Sequence, residues 1–331
     1  MGFYDLRLPE VREQQAELAA EAGLDGFVYY HFWFNGKQLL ERPINEILRL
    51  QEPRLPFCLA WANENWTRSW DGGNAQILVQ QHYSIEDDLA HIRSMRPVLT
   101  DDRYITDKGR PILLIYRSSD LPNSLATTDL WRAEAQRWGL PDLYLLRVES
   151  FPSEQGDDPR PLGFDAAVQF QPNLWQLPKP SVRFRIREKI ARARNTSFPS
   201  VVQYDLVAEN AISDIVPAYP RWPGVTPGWD NSARVGNRAT ILLDSTPEVY
   251  GRWLRSALSK SRVVASTYAE GMSGLVFINA WNEWAEGNHL EPDLRYGKAF
   301  IDATRRAIEH DVSGVLSQGT QGLSASAIEK Q

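Results

Sequence analysis

The sequence predicts an α/β fold, an eight-stranded (β/α) barrel without its first strand. Short apolar runs alternate with helical segments along 331 residues, a parallel sheet covered by helices. No Gly-x-Gly-x-x-Gly turn follows the first run, so a dinucleotide-binding sheet has no support. The polar and aromatic residues gather where the apolar runs end, the functional end of a parallel barrel.

Residues 9–22 open with Pro9, carry Glu10 and Glu13 early and stop before Gly23, a helix by its ends. Gly26-Phe27-Val28-Tyr29-Tyr30-His31-Phe32-Trp33 is a strand by its β-branched and aromatic content. Further strands are expected at 56–61, 111–116, 143–148, 164–170, 214–218 and 274–280. Helices are expected near 37–50, 85–97, 127–138, 247–260 and 296–309. The count starts with a helix and then gives seven strands.

One domain is expected over 1–312 and a flexible Ser-, Gly-, Gln- and Ala-rich tail over 313–331. Residues 151–162 are a Pro-, Asp- and Gly-rich loop. Residues 171–200 read as an inserted, solvated surface helix with alternating Arg183, Arg185, Arg187, Lys189, Arg192 and Arg194. The second reading of that stretch is a contact for an acidic glycan or a phosphate lipid.

The net charge of −6 argues against a nucleic-acid partner. The single cysteine, Cys58, sits in an apolar run and reads as a buried structural thiol. No apolar run is long enough to span a membrane, and the first residues lack a signal-peptide core, so a cytoplasmic location is expected. The five histidines show no metal-ligand spacing, no Gly-x-Ser-x-Gly elbow occurs, and Asp71-Gly72-Gly73-Asn74 reads as a turn. No metal and no cofactor are implied.

The most informative stretch is Trp281-Asn282-Glu283-Trp284-Ala285-Glu286-Gly287, directly after the last apolar run. Two carboxylates three residues apart, framed by tryptophans, suit cleavage or formation of a glycosidic bond. One acid handles the proton of the bridging oxygen, and the other acts at the sugar. Glu283 and Glu286 are therefore the candidate catalytic pair. The other strand ends offer Tyr30, His31, Trp33, Trp61, Asn63, Glu64, Asn65, Trp66, Tyr116, Gln169, Tyr219, Trp229, Asp230, Asn282 and Trp284 as candidate sugar contacts. Amides and acids bind hydroxyls, and aromatic faces stack on rings. A satisfied structural histidine is the commoner reading of His31. Asn-Glu recurs at 63–64 and 282–283, and the second pair has the additional acid.

Several stretches together resemble the WbsX-like proteins, which are similar to glycoside hydrolase family 99. They are Tyr4-Asp5-Leu6-Arg7, GFVYYHFWFN from Gly26, CLAWANENWTRSWD from Cys58, Pro111–Arg117, Tyr219–Asn231, and FINAWNEWAEGNHLEPD from Phe277. The resemblance implies a (β/α) barrel acting on glycans in polysaccharide or O-antigen gene clusters. It implies that Glu283 takes the proton of the sugar 2-hydroxyl and that Glu286 is general acid and then base. An endo-acting retaining hydrolase is the leading expectation. A glycosyltransferase of O-antigen or lipopolysaccharide assembly, or a non-catalytic sugar-binding barrel, are the alternatives.

Overall fold

The computed structural model describes residues 2–68, 73–269, 271–272 and 274–311. The expected tail at 313–331, Trp70, and Asp71 and Gly72 of the expected turn lie outside the described residues.

The chain begins with helix α1 (Pro9–Glu21) and strand β1 (Phe27–Phe34), followed by a short strand Lys37–Leu39 and α2 (Arg42–Leu50). Strand β2 (Phe57–Trp61) leads to a hairpin of Trp66–Arg68 with Gly73–Val79, and then to α3 (Ile85–Leu99). Strand β3 (Arg110–Ile115), α4 (Ser124–Arg137), β4 (Tyr144–Glu149) and β5 (Ala166–Gln169) follow. An excursion then carries α5 (Val182–Ala193), strand Ser200–Gln203 and α6 (Tyr204–Ser213). The chain returns as β6 (Arg221–Trp222) and β7 (Gly224–Val225), interrupted at Pro223, which has no N–H to give a ladder. Helix α7 (Ser232–Val235), strand Thr240–Leu243, α8 (Pro247–Tyr268), β8 (Phe277–Ile278) and a last helix, α9, over 299–311 complete the chain.

Strands β1 to β6 pair in sequence order and all in parallel, with Phe27 opposite Phe57, Leu59 opposite Leu113, Ile112 opposite Tyr144, Leu146 opposite Ala166 and Ala167 opposite Arg221. Beyond Pro223, β7 pairs with β8, Gly224 opposite Phe277. Sequential parallel order with helical crossovers is the wall of a (β/α) fold. Among the described residues no ladder joins β8 back to β1. Every residue of β2 and β4 is buried, which matches the near-continuous apolar runs of a sheet covered on both faces. A single cluster holds Phe57, Leu59, Leu113, Leu145 and Trp222 under α3 and α4. A second packs Tyr204, Trp229, Tyr250, Trp253 and Leu290 between α6, α8 and α9. Cys58 is buried in the first cluster, and burial pushes its thiol up to about 12.

Two expectations need correction. The sixth strand lies at 221–225 and not at 214–218, since Arg221 extends to a neighbour where the earlier stretch does not. The 37–50 segment is not helical throughout: Gln38 pairs with Trp33 in a hairpin before α2 begins at Arg42, with Pro43 in its first turn. The parallel pair Ser200–Gln203 with Thr240–Leu243 was not foreseen. Its residues are too few and too mixed to stand out as a strand pattern.

Candidate active site

After β8 the chain turns over Asn279–Trp281 and forms a small hairpin. Asn282 pairs with His289 and Glu283 with Asn288, with a 3₁₀ turn at Trp284–Glu286 between them. Gly287 sits in the left-handed region at φ +56°, and a Cβ there would come within 3.0 Å of the Asp230 side chain. The close approach lets the Asp230 N–H donate to the Glu286 carbonyl at 2.6 Å. Asn288 is fully buried, and its Oδ1 accepts from the Ala280 N–H at 3.1 Å and from Thr226 Oγ1 at 3.0 Å. These bonds pin the hairpin to the end of β7, so both acids ride on a fixed support.

A second anchor is Glu291, buried at the hairpin's foot. It accepts from Trp284 Nε1 at 2.7 Å, Gln15 Nε2 at 2.7 Å and the Tyr4 hydroxyl at 2.9 Å. Asn282 Nδ2 in turn donates to that hydroxyl at 3.0 Å. Burial, more than any other influence, pushes the Tyr4 hydroxyl up to about 12, so it remains a donor. The Trp284 indole lies flat on the His289 ring, with centroids 3.7 Å apart.

Glu286 is 20% exposed, and its Oε1 lies 2.5 Å from Arg234 Nη1 on α7. Burial raises its carboxyl to about 7, Arg234 opposes the rise, and Glu283 adds to it. Tyr30, at the middle of β1, lies within the field of both acids. Desolvation of its hydroxyl first, then the fields of Glu286, Glu283 and Glu64, hold Tyr30 above its ordinary value. Tyr116, edge-on to Tyr30 at 6.3 Å, is raised by burial and then by Tyr30, Glu64 and Glu286. Three carboxylates and two tyrosines thus lie within one another's fields.

Glu64 extends this wall. Its Oε1 lies 2.9 Å from Arg117 Nη1, and burial still raises its carboxyl against that cation. The Arg117 guanidinium also stacks on Phe151 at 3.9 Å and pairs with Asp120 at 3.0 Å. Phe151 touches Tyr116 at 6.0 Å and the exposed Trp175 at 6.3 Å between centroids. The aromatic wall therefore runs from Tyr30 through Tyr116 and Phe151 to Trp175.

Of the residues expected from sequence, the structure brings together Glu283, Glu286, Glu64, Tyr30 and Tyr116. Asn282, Trp284 and Asp230 flank them on the hairpin and its neighbour. Trp66 packs edge-on against Phe32 and Phe34 on the nearby hairpin, and Asn65 Oδ1 accepts from the Gln81 N–H at 2.6 Å. Gln169 Nε2 donates to Asp214 at 3.1 Å, at the outer edge of β5.

The rest of the expected rim is corrected. His31, Trp33 and Trp61 are buried together around His91. His31 Nε2 meets His91 Nε2 at 2.8 Å, and burial holds His31 down at about 4, so it is a neutral core imidazole. Trp33 Nε1 donates to Asp87, and Trp61 packs edge-on to His91. Asn63 is fully buried and clamps Arg117 through both its N–H and its C=O at 2.8 Å. Tyr219 donates to the buried Glu149 at 2.8 Å, and Trp229 lies in the second core. Alternation along β1 decides His31 and Trp33: Tyr30 faces the cleft, so these two face the helices.

Arg117 stands at the end of the Pro111–Arg117 stretch, whereas Arg234, Glu291, Phe151 and Trp175 are additions that the structure makes. Arg234 follows the Pro227–Asn231 stretch by three residues, and Glu291 lies inside the FINAWNEWAEGNHLEPD stretch, so proximity to both was the available signal. Nothing in the sequence marks Phe151 or Trp175.

The fold has known counterparts. A solved "glycoside hydrolase-like protein" superimposes with a TM-score of 0.56 at 15% identity, covering 92% of this chain and 87% of the other. A family 99 endo-alpha-mannosidase from Bacteroides thetaiotaomicron, solved with bis-tris-propane, gives 0.54 at 14% identity over 95% of this chain and 87% of its own. At such identity the likeness concerns the fold, an α/β architecture with a mostly parallel sheet. An uncharacterized protein, WxcX, from two strains of Xanthomonas campestris pv. campestris, is 41% identical over 311 residues. That match takes in 93% of this chain and 42% of WxcX, so the chain spans about two fifths of the length of these curated relatives. The family model described as glycosyltransferase WbsX matches residues 1–304, and the chain belongs to that family.

Proposed function

We propose that the chain is a carbohydrate-active enzyme, an endo-acting retaining glycoside hydrolase of cell-surface polysaccharide, built on a (β/α)₈-type barrel. The observation that carries this reading is the hairpin that holds Glu286, raised to about 7, beside Glu283, with Tyr30 in the field of both. An acid near 7 is partly protonated at neutral pH and is returned easily to its base form. The membership of the WbsX family and the likeness to glycoside hydrolase folds support the substrate class.

In this reading Glu283 takes the proton of the sugar 2-hydroxyl. That oxygen attacks the anomeric carbon, and the bond to the leaving oxygen breaks as Glu286 gives that oxygen its proton. Water then opens the internal ring, giving a proton to Glu286 while Glu283 returns its own to the 2-oxygen. Two inversions leave the anomeric configuration retained. Glu64 contacts a sugar hydroxyl, and the Tyr30–Tyr116–Phe151–Trp175 wall supplies stacking faces. No step asks for a cofactor.

The test is a screen of bacterial surface polysaccharides for released oligosaccharides, run with the wild type and with Glu283→Gln and Glu286→Gln. Release by the wild type alone supports the assignment, while undiminished release by either variant removes it. A glycosyltransferase is the second reading, favoured by the description of the matched family. Consumption of a sugar nucleotide with no cleavage of finished polysaccharide would select it.

A further inference from the structure

The excursion after β5 carries a helix that the catalytic reading does not use. Helix α5 (Val182–Ala193) has no buried residue. Val182, Ile186 and Ile190 follow one another at a spacing of four and so form one line along the helix. They are 67%, 52% and 45% exposed. The half-buried Phe184 and Ala191 occupy the opposite, protein-facing side. A solvated helix has no need of an aliphatic stripe facing water, because its outer face is ordinarily polar.

The charge around the stripe is concentrated. From Lys179 to Arg194 there are seven Lys or Arg against one acid, Glu188, a local +6. The whole chain carries −6, so the remainder carries −12. On the helix, Arg183 and Arg187 lie to one side of the stripe and Arg185 and Lys189 to the other. Glu188 engages Arg192 at 2.5 Å, while Arg185, Arg187, Lys189 and Arg194 pair with no acid among the described residues. An aliphatic line edged by unpaired cations is the chemistry of a helix that lies in an anionic lipid interface.

The position fits a functional use. The excursion leaves the C-terminal end of the sheet, where the cleft is. Trp175 Nε1 donates to the Ser150 carbonyl at 3.2 Å, tying the segment before α5 to the Phe151 end of the aromatic wall. We infer that α5 docks the protein on a membrane surface rich in anionic lipid, with the aliphatic line in the headgroup region and the cleft-bearing end of the sheet toward the bilayer. The inference is independent of which glycan reaction the cleft performs.

The experiment is co-sedimentation of the whole chain with vesicles of phosphatidylcholine, with and without one-third phosphatidylglycerol. The wild type is expected to sediment with the anionic vesicles and not with the neutral ones. Ile186→Asp combined with Ile190→Asp, and separately Arg185→Glu with Arg187→Glu and Lys189→Glu, should each weaken the association at least tenfold. All five positions are on the exposed face, so circular-dichroism melting curves should match the wild type. A reporter placed by Ile190→Cys and labelled with an environment-sensitive dye should brighten on vesicle addition, since the buried Cys58 will not take the dye. Failure of the wild type to sediment with anionic vesicles overturns the inference. So does an aspartate variant that binds as the wild type does, which would point to a charge-only contact such as an acidic glycan.

Discussion

Arg234 Nη1 lies 2.5 Å from Glu286 Oε1, yet the Glu286 carboxyl is raised to about 7. Burial outweighs the cation, and Glu283 adds to burial. The guanidinium is nearly half exposed, so solvent screens it. Arg234 therefore trims the acid toward neutrality and does not lock it as a carboxylate. Replacing Arg234 with Gln removes the opposing field, so the carboxyl rises further. If Glu286 acts as the acid, the alkaline limb of the kcat/KM profile shifts to higher pH in this variant. A profile that keeps its alkaline limb, or moves it to lower pH, would separate Glu286 from that limb.

The same shift bears on stability. A carboxyl that holds its proton more tightly when folded favours the folded state below its unfolded value near 4.5 and loses that advantage as pH rises toward 7. The penalty present above pH 7 amounts to about 3 kcal/mol. Glu286→Gln removes the titration while keeping an acceptor for Arg234. The variant is expected to be more stable than the wild type at pH 8 and close to it at pH 4, by urea unfolding at both values. Equal stability differences at the two pH values would show that burial of this acid costs the fold nothing.

Glu291 supports the hairpin without touching the cleft. It receives three hydrogen bonds, from Trp284, Gln15 and Tyr4, and is buried. Glu291→Leu leaves those donors unmatched and should destabilise the fold by about 3 kcal/mol. Glu291→Gln keeps the shape and part of the bonding, and should cost roughly half as much. Both variants should lower kcat through the tilt of Asn282 and Trp284, while the pH profile keeps its form. A changed profile would give Glu291 a place in the proton chemistry itself.

Sheet order was legible because β2, β3 and β4 are buried on both faces and read as unbroken apolar runs. The hairpin of Glu283 and Glu286 was legible because two acids stand beside a strand end. The rim was misjudged for more than one reason. For His31 and Trp33 the reason is that exposure alternates along a strand and composition does not reveal the phase; Trp61 ends a strand buried throughout, and Asn63, Tyr219 and Trp229 lie in loops that fold back into the protein. His31 and Tyr30 are neighbours in sequence, yet one is sealed against His91 and the other lines the cleft. Arg234 reaches the site from a single helical turn and Phe151 from a loop, and neither leaves a periodic trace in the sequence. Even the sixth strand was displaced, because Pro223 splits it into two pieces of two residues.

That split strand leads to the final prediction. Gly224 opens β7 immediately after Pro223, and a Cβ there would meet the Gln169 carbonyl oxygen at 2.0 Å. The obstacle is backbone at the end of β5, which cannot swing away as a side chain would. Gly224→Ala must therefore push β7 off β5, and β7 carries β8 through the Gly224–Phe277 register. Because Thr226, one residue past β7, bonds Asn288 at 3.0 Å, the hairpin of Glu283 and Glu286 moves with it. The expected outcome is a loss of about 3 kcal/mol or more in stability and a fall in kcat in whatever protein remains folded. Gly228→Ala is the matched control, since its nearest neighbours stand at 3.5 Å and accept a methyl group. Equal melting temperatures for the two variants would show that β5 and β7 are not held at the separation that Gly224 permits.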